Sequence, residues 1–510
     1  MSIFENRLKY VNARTWDTVV RPFQFPEWSD GDIQRRAECG VAFSGGGTRS
    51  ASATLGQLRA LSNLGLLRDI GYISCVSGGA WTSVPFTYLP DTWTDEAFLG
   101  PVLQPGEITP EHVEQTDRNS FAHRIANSVI LDDFLKHAMR LAGDETYARA
   151  LGESFLAPFQ IDPLQRFFGY NDASILDVLQ RNEKMQATDF FPVRSGRPYL
   201  IVGGLILRED NPAPKPKRIP FEMTPLYAGS YQPHPGSGSR GRDIGGCYIE
   251  PFGFDSDGPE RPIRNGLAEV RLGAANYRFT LSDVMGTAGA APVEVLNRIG
   301  LDWIGLPEFK YWTTYNGKPI NRRAKEYEFG DAGILENLGI MPLLIRKVRR
   351  IVVFINTRDP LINEVQINNS MPPLFGQTPD FLDNHVFNAA QYKPLVNALR
   401  RARNAGKPVT HRETYPVRQN DHYGVEGGWN VDILWVYNES VPEWESQLQP
   451  AVRGTIGRGS LGNFPHYKTF FQNPPAIIDL SAKQASLLSH LSCWVTMSQE
   501  GSLRELFSSL

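Results

Sequence analysis

The stretch ISCVSGGAW, residues 73–81, runs from β-branched, apolar residues through Ser77 into two consecutive glycines. Its first half has the composition of a short buried strand. A serine at a sharp strand-to-helix bend presents its hydroxyl as a nucleophile, in the pattern GxSxG. Cys75 stands where that pattern has its first glycine. The stretch alone therefore leaves two interpretations open, a nucleophile or an ordinary turn.

A second junction of the same kind lies upstream. The strand-like CGVAF, residues 39–43, leads into SGGGTR, residues 44–49, and then into leucines at near-helical spacing. Gly65 occupies the position expected just after a helix C-terminus. Two strands joined by one helix predict a βαβ unit over residues 39–76, whose strands lie parallel with a right-handed crossover.

The alternation of strand-like and helical segments continues along the chain and predicts an α/β fold with a central, mostly parallel sheet covered by helices. Further strand-like runs occupy residues 197–207, 326–331 and 349–357. We expect a leader at residues 1–38 that packs on the core, followed by one catalytic domain at residues 39–500. Within that domain we expect a helical insertion at residues 91–195 and a loop-rich lid at residues 209–266. The basic run RKVRR, residues 346–350, is expected to be a solvated helix end.

The composition and charge of the chain disfavour several classes of function. The 510 residues carry a formal charge of −3, which disfavours nucleic acid as a partner. The four scattered cysteines indicate neither a disulfide framework nor a zinc site, and they fit a reducing compartment. The N-terminus has no signal-like apolar region, and the apolar runs are far shorter than the roughly 20 residues of a spanning helix. We expect a cytoplasmic protein without metal or cofactor.

The two glycine-rich junctions fall at the carboxyl ends of neighbouring parallel strands, where ligands bind in open α/β sheets. Gly45, Gly46 and Gly47 allow a tight turn with exposed N–H groups, and a helix that starts there adds its positive dipole end. Such a loop would stabilise an oxyanion next to Ser77. A phosphate loop would require GxxxxGK[ST] and a dinucleotide loop GxGxxG, and the sequence matches neither.

A serine nucleophile needs a base. Nine histidines are present, and none of His385, His411, His422 and His466 sits in a motif that singles it out. Asp331 ends a strand-like run and is followed by the small residues Ala332 and Gly333, which leave its carboxylate uncovered. By itself such an aspartate is more typical of a helix N-cap.

Taken together, the motifs resemble the patatin and cytosolic phospholipase A2 superfamily. SGGGTRS with Arg49, VSGGAW with Ser77, and DAGILENLGIMPLL with Asp331 match its motifs in order and spacing. Weaker similarities at residues 220–230 and 280–292 favour the cytosolic phospholipase A2 branch. The resemblance extends over about residues 39–495. It implies a three-layer α/β sandwich with cap insertions.

The resemblance also implies a Ser–Asp dyad without histidine. Ser77 would attack a lipid ester, Asp331 would accept its proton, and N–H groups of the glycine loop and of Gly78 would hold the oxyanion. The loop glycines concerned are Gly45, Gly46 and Gly47. Arg49 would bind a substrate phosphate or stabilise the loop. The substrate would be a phospholipid or another lipid ester, met at a membrane surface as a peripheral interaction.

Three other functions remain open. An acyltransferase or acyl-cyclising enzyme would use the same dyad, and a lipid-binding protein on this fold would use none of it. A Ser–His–Asp triad would recruit a histidine that follows Asp331. Because the first core strand begins near residue 39, no calcium-dependent docking module is expected. Cys75 should tighten the bend at Ser77 without abolishing the site.

Overall fold

The computed structural model describes most of the chain. The described residues are 10–127, 146–161, 166–208, 217–234, 244–259, 261–272, 279–290, 306–315, 318–319, 324–362, 371–377, 384–468 and 480–508. Most of the segment HRIANSVILDDFLKHAMRLAG within the predicted helical insertion lies outside them. No helix in the described ranges is long and apolar enough to cross a membrane.

The strands, in chain order, are β1 Tyr10–Asp17, β2 Cys39–Phe43, β3 Tyr72–Cys75, β4 Phe167–Gly169, β5 Phe190–Pro192, β6 Tyr199–Arg208, β7 Lys217–Met223, β8 Ala228–Ser230, β9 Cys247–Ile249, β10 Ser256–Asp257, β11 Leu267–Leu272, β12 Glu308–Tyr311, β13 Thr314–Tyr315, β14 Lys318–Pro319, β15 Lys325–Asp331, β16 Arg350–Ile355, β17 Thr410–Val417 and β18 Trp429–Tyr437. The described α-helices are α1 Gly31–Arg36, α2 Gly47–Asn63, α3 Gly78–Thr87, α4 Asp95–Leu99, α5 Pro110–Glu114, α6 Phe121–Ala126, α7 Thr146–Phe155, α8 Asp172–Arg181, α9 Leu281–Ala288, α10 Met341–Ile345, α11 Tyr392–Asn404, α12 Pro442–Gln447, α13 Pro450–Arg453, α14 Ala482–Met497 and α15 Glu500–Ser508.

One large mixed sheet organises the fold and confirms the α/β prediction. Its order is β10-β11-β1-β9-β8-β7-β6-β3-β2-β16-β18-β17, with β15 paired to β6 and β12 to β15. Parallel pairing is confined to the central strands β6, β3, β2, β16 and β18. The predicted βαβ unit is β2-α2-β3, and Gly65 follows α2 with a φ of 68°.

Strand β6 brings two distant parts of the chain together along one of its edges. β3 runs parallel to its first half, with Cys75 opposite Val202. β15 runs antiparallel to its second half, with Asp331 opposite Gly204. The two strands therefore approach each other and end about 7 Å apart along β6, because each strand residue advances about 3.3 Å.

Residues 209–266, expected to be loop-rich, contain more strand than expected, and a lid in this segment stays a prediction. Described parts of that segment form β7, β8, β9 and β10, which belong to the large sheet. Their short apolar cores, such as Ile219, Phe221 and Tyr248, are buried. The Pro, Gly and charged residues that suggested a lid dominate the average composition, whereas strands as short as three residues leave little periodic signal.

The prediction of a solvated basic run is also wrong at its first residue. The Arg346 guanidinium is fully buried and pairs with Glu27 at 2.8 Å and with Glu222 at 2.9 Å. It also donates to the Tyr227 hydroxyl at 2.6 Å and lies over the Phe25 ring. The charge pattern of residues 346–350 could not predict this burial, because both carboxylate partners are remote in sequence. One lies before β2 and the other on β7.

This buried cluster predicts a large stability effect. Replacing Arg346→Met leaves two carboxylates buried without their cation, and we expect the free energy of unfolding to fall by about 3–5 kcal/mol. The exposed pair of Arg35 with Asp32 supplies the control, since Arg35→Met should cost at most about 1 kcal/mol. Denaturant unfolding of both variants measures the difference. Equal losses would contradict the structural role assigned to Arg346.

Candidate active site

Ser77 occupies a strained turn between β3 and α3. Its backbone has a φ of 51° and a ψ of −132°, a conformation that residues with a side chain rarely adopt. Holding it there costs of order 1–3 kcal/mol, and such strain concentrates at active sites. The residue is 3% exposed, and its hydroxyl makes no hydrogen bond to another described residue. Ser77 therefore sits in a buried, strained strand-to-helix turn rather than in an ordinary surface turn.

Two helices begin side by side next to this serine. A Cβ on Gly78, the first residue of α3, would stand 2.0 Å from the carbonyl oxygen of Gly47, the first residue of α2. Only glycine permits this approach. Neither the Gly47 N–H nor the Gly78 N–H has an acceptor in the described part of the chain. Two positive helix ends thus converge where an oxyanion next to Ser77 would form.

The loop before α2 is hydrogen-bonded to the turn that follows β15. The Gly45 N–H donates to the carbonyl oxygen of Asn337 at 2.9 Å. A Cβ on Gly45 would stand 2.2 Å from Asn337 Oδ1 and 2.8 Å from the Ser77 Cβ. Asn337 was not singled out from the sequence, although it lies in the quoted stretch DAGILENLG. An asparagine in a loop carries no pattern that reveals such a contact.

Asp331 ends β15 at the same edge of β6 on which β3 ends. It is 2% exposed, and its Oδ1 accepts the Gly333 N–H at 2.7 Å, as in the helix N-cap considered from the sequence. The ends of strands β3 and β15 meet at Gly203, where a Cβ would contact Val76 Cγ1 at 2.8 Å and the Ala332 Cβ at 3.2 Å. The residues adjacent to Ser77 and Asp331 are therefore neighbours across one glycine.

Tyr147 on α7 is a second residue that the sequence did not reveal. Burial, with a further contribution from the nearby Asp331 charge, raises the pKa of its phenol well above the ordinary value. The phenol therefore lies close enough to Asp331 for the carboxylate charge to affect its pKa. Nothing in the spacing around residue 147 could have linked it to a turn so far along the chain.

Arg49 is buried on the first turn of α2. Its Nε donates to the carbonyl oxygen of Asn356 at 2.9 Å and its Nη1 to that of Tyr467 at 2.5 Å. A Cβ on Gly46, whose φ is 143°, would stand 2.3 Å from Arg49 Nη2. Burial lowers the pKa of Arg49 to about 9. These contacts fit the loop-stabilising alternative, and substrate binding by Arg49 stays a prediction.

The histidines considered as bases have other contacts. His385 Nε2 contacts the carbonyl oxygen of Phe387, His411 contacts Glu413, and His466 contacts Glu439. The His422 ring packs on the ring of His234. Among the described residues, no group of three or more His, Cys, Asp or Glu side chains could hold a metal ion.

Cys75, at the end of β3, is buried, and desolvation raises the pKa of its thiol to about 12. Its Sγ contacts the carbonyl oxygen of Ile201 at 3.6 Å. A thiol in this state is a packing group, because the nucleophilic form of cysteine is the thiolate. The residue that replaces the usual elbow glycine therefore lies in the strand, clear of the bend itself.

The glycine loop yields a direct prediction. Gly45→Ala places a methyl group against Asn337 and Ser77, so the loop must shift away from the serine. We expect kcat of the ester hydrolysis proposed below to fall by about 10²- to 10³-fold, the effect of losing one oxyanion donor. Gly31→Ala is the control, because no atom lies within 4 Å of the added Cβ and activity should be retained. Unchanged turnover in Gly45→Ala would separate this loop from catalysis.

Comparison with known proteins gives a sequence match. Over 67 residues the chain is 39% identical to cytosolic phospholipase A2 zeta of Mus musculus, covering 13% of this chain and 8% of that protein. Over 62 residues it is 42% identical to cytosolic phospholipase A2 zeta of Homo sapiens, covering 12% of this chain and 7% of that protein. The chain resembles the cytosolic phospholipases A2. The resemblance indicated by the motifs is thereby confirmed.

The matched segment is short, spanning less than a tenth of the curated relatives' length. No protein-family model matches the chain. Among solved structures, human GIVD cytosolic phospholipase A2 aligns with a TM-score of 0.48 and 14% identity, over 95% of this chain and 65% of that one. Its complex with methyl gamma-linolenyl fluorophosphonate aligns with a TM-score of 0.42 and 14% identity, over 94% and 62%.

Proposed function

We propose that the chain is a lipid acyl hydrolase that cleaves carboxylic esters of glycerophospholipids, with Ser77 as nucleophile and Asp331 as base. The observation that carries the proposal is the strained backbone of Ser77 beside the paired starts of α2 and α3. A buried serine has no packing reason to adopt a positive φ. The similarity to cytosolic phospholipases A2 supports the choice of a phospholipid substrate.

In the first half of the reaction, Ser77 Oγ attacks the ester carbonyl carbon while its proton passes to Asp331. The tetrahedral oxyanion accepts hydrogen bonds from the N–H groups of Gly47 and Gly78, while the Gly45 N–H stays bonded to the Asn337 carbonyl oxygen and holds the loop in place. Asp331 then protonates the departing alcohol, and the acyl-enzyme remains. The Ser77–Asp331 hydrogen bond forms as substrate binds, since catalytic hydrogen bonds often tighten only in the complex.

In the second half, water takes the place of the alcohol. Asp331 accepts a proton from the water as its oxygen attacks the acyl carbon, and the same N–H groups hold the second oxyanion. Proton return from Asp331 to Ser77 Oγ releases the fatty acid. Burial of both side chains strengthens each of these electrostatic contacts, because a low local dielectric screens them less than water does.

The test is lipid mass spectrometry of vesicles that contain phosphatidylcholine and lysophosphatidylcholine. The wild-type chain should release free fatty acid and the corresponding deacylated lipid, and Ser77→Ala should release neither. A parallel sample with an added alcohol distinguishes transfer from hydrolysis. Acyl products on the added alcohol at the expense of fatty acid would replace the hydrolase by an acyltransferase. No ester cleavage by wild-type protein would overturn the proposal.

A further inference from the structure

A second concave site lies among the helices, away from Ser77. The cavity has a volume of about 500 Å³, the size of a small-molecule pocket. Helices α2, α4, α5, α6 and α14 with the loop after α4 contribute its walls. Arg59 on α2 stands in it, about 18 Å along the helix axis from Gly47 at 1.5 Å per residue. The cavity is therefore separate from the proposed ester site.

Arg59 is a buried cation without an acidic partner. The residue is 4% exposed, and no carboxylate of the described chain pairs with it. Its Nε donates to the carbonyl oxygen of Leu99 at 2.8 Å. Its Nη1 and Nη2 make long contacts, 3.4 Å to His490 Nδ1 and 3.4 Å to Ser489 Oγ, and the guanidinium also hydrogen-bonds to the side chain of Cys493. A buried charge is costly unless it is paired, so this guanidinium lacks its natural counter-ion.

Two histidines line the same cavity, and His490 presents a further donor. A guanidinium can only donate, so His490 Nδ1 accepts from Arg59 and the ring proton resides on Nε2. His112 Nδ1 lies 3.3 Å from the Thr109 nitrogen and 3.2 Å from the carbonyl oxygen of Glu107. Burial and the charges of Arg59 and His112 lower the pKa of His490 well below its ordinary value, so this ring is a neutral donor.

Arg59 and His490 contribute these donors from two different helices, α2 and α14. A phosphate, whose oxygens point to the corners of a tetrahedron, can accept from the guanidinium and from the ring N–H at the same time. Glycine at position 100 keeps the approach open, because a Cβ there would stand 3.3 Å from Arg59 Nη2. Two acidic side chains, Glu96 and Asp117, line the same cavity, and neither pairs with Arg59.

We propose that this cavity binds a phosphate group, with the Arg59 guanidinium as its counter-ion and His490 as an additional donor. The group belongs either to a soluble phosphate ester or to a lipid headgroup. The site is independent of ester hydrolysis, so Ser77→Ala protein should bind the phosphate as the wild type does.

Calorimetric titration of the full chain with inorganic phosphate, against chloride at equal ionic strength, tests the site. We expect saturable binding to wild-type protein and at least about 10-fold weaker binding to the variants Arg59→Lys and His490→Gln. Arg59→Lys keeps the charge but loses the forked guanidinium, and His490→Gln loses the imidazole ring. Arg36→Lys is the control, because Arg36 is equally buried but donates to Leu67 and Ile70. His490→Gln keeps the test valid if Arg59→Lys does not fold.

Two further ligands distinguish the sources of the phosphate. Glycerol 3-phosphate represents the soluble ester, and phosphatidylcholine vesicles with or without phosphatidic acid represent the headgroup. Binding that depends on Arg59 in either arm supports the site and assigns the source. No heat with millimolar phosphate, combined with vesicle binding that Arg59→Lys and His490→Gln leave unchanged, would overturn the proposal.

Discussion

Ser77→Ala should reduce ester hydrolysis by about 10⁴- to 10⁶-fold, the range observed when a serine nucleophile is removed. The substitution deletes only the attacking oxygen. Alanine meets the same backbone strain as serine, so the fold should survive. Initial rates of fatty acid release from phosphatidylcholine vesicles measure the effect, and thermal unfolding checks that the variant is intact.

Ser74→Ala is the matched control for this variant. Ser74 lies three positions upstream in β3, is buried, and has a hydroxyl without a hydrogen-bond partner among the described residues. Its removal tests whether the loss of any buried hydroxyl near the elbow slows the reaction. Comparable losses in both variants would point to disturbed packing of β3 and would remove Ser77 from the role of nucleophile.

Asp331→Asn is expected to lower kcat by about 10⁴-fold, the loss measured when a catalytic aspartate is made an amide in a serine hydrolase. Asparagine can still accept the Gly333 N–H, so the turn after β15 should keep its shape. It cannot accept the serine proton. The expected signature is a fall in kcat with little change in KM, because the carboxylate acts on the reacting proton rather than on substrate binding.

Asp255 supplies the control for the carboxylate. Its Oδ1 accepts the Lys310 N–H at 2.7 Å, and burial raises its pKa to about 7. Asp255→Asn therefore removes a shielded carboxylate that also caps a backbone group, and it should leave kcat unchanged. If Asp331→Asn retains activity while one of the four candidate histidines proves essential, the base is a histidine and the dyad is wrong.

The core of the fold could be predicted because its signals are local. β2, α2 and β3 each carry an unbroken apolar pattern, and the glycines at both junctions mark the points where the chain turns. Strand β15 was recognisable for the same reason, as was the small-residue turn after Asp331. The strands β8, β9 and β10 were missed because each has only two or three residues and therefore no detectable periodicity.

Contacts between distant parts of the chain could not be predicted. Asn337 hydrogen-bonds to the Gly45 loop, and Tyr147 lies near Asp331. Arg346 pairs with Glu27 and Glu222. No local sequence pattern encodes any of these contacts. The convergence of Ser77 and Asp331 depends on the register of β3 and β15 against β6. The order of the motifs along the chain suggested that the two residues lie close together. The register of the strands, which the sequence does not reveal, brings the ends of β3 and β15 to the same edge of β6.

The most direct test of the central claim is peptide mass spectrometry after treatment with a lipid-like fluorophosphonate, a reagent that captures activated serines. A single adduct on the peptide that contains Ser77, formed by the wild type and strongly slowed in Asp331→Asn, is the predicted result. Labelling of another serine, or an unlabelled Ser77 in protein that still cleaves lipid esters, would contradict the account.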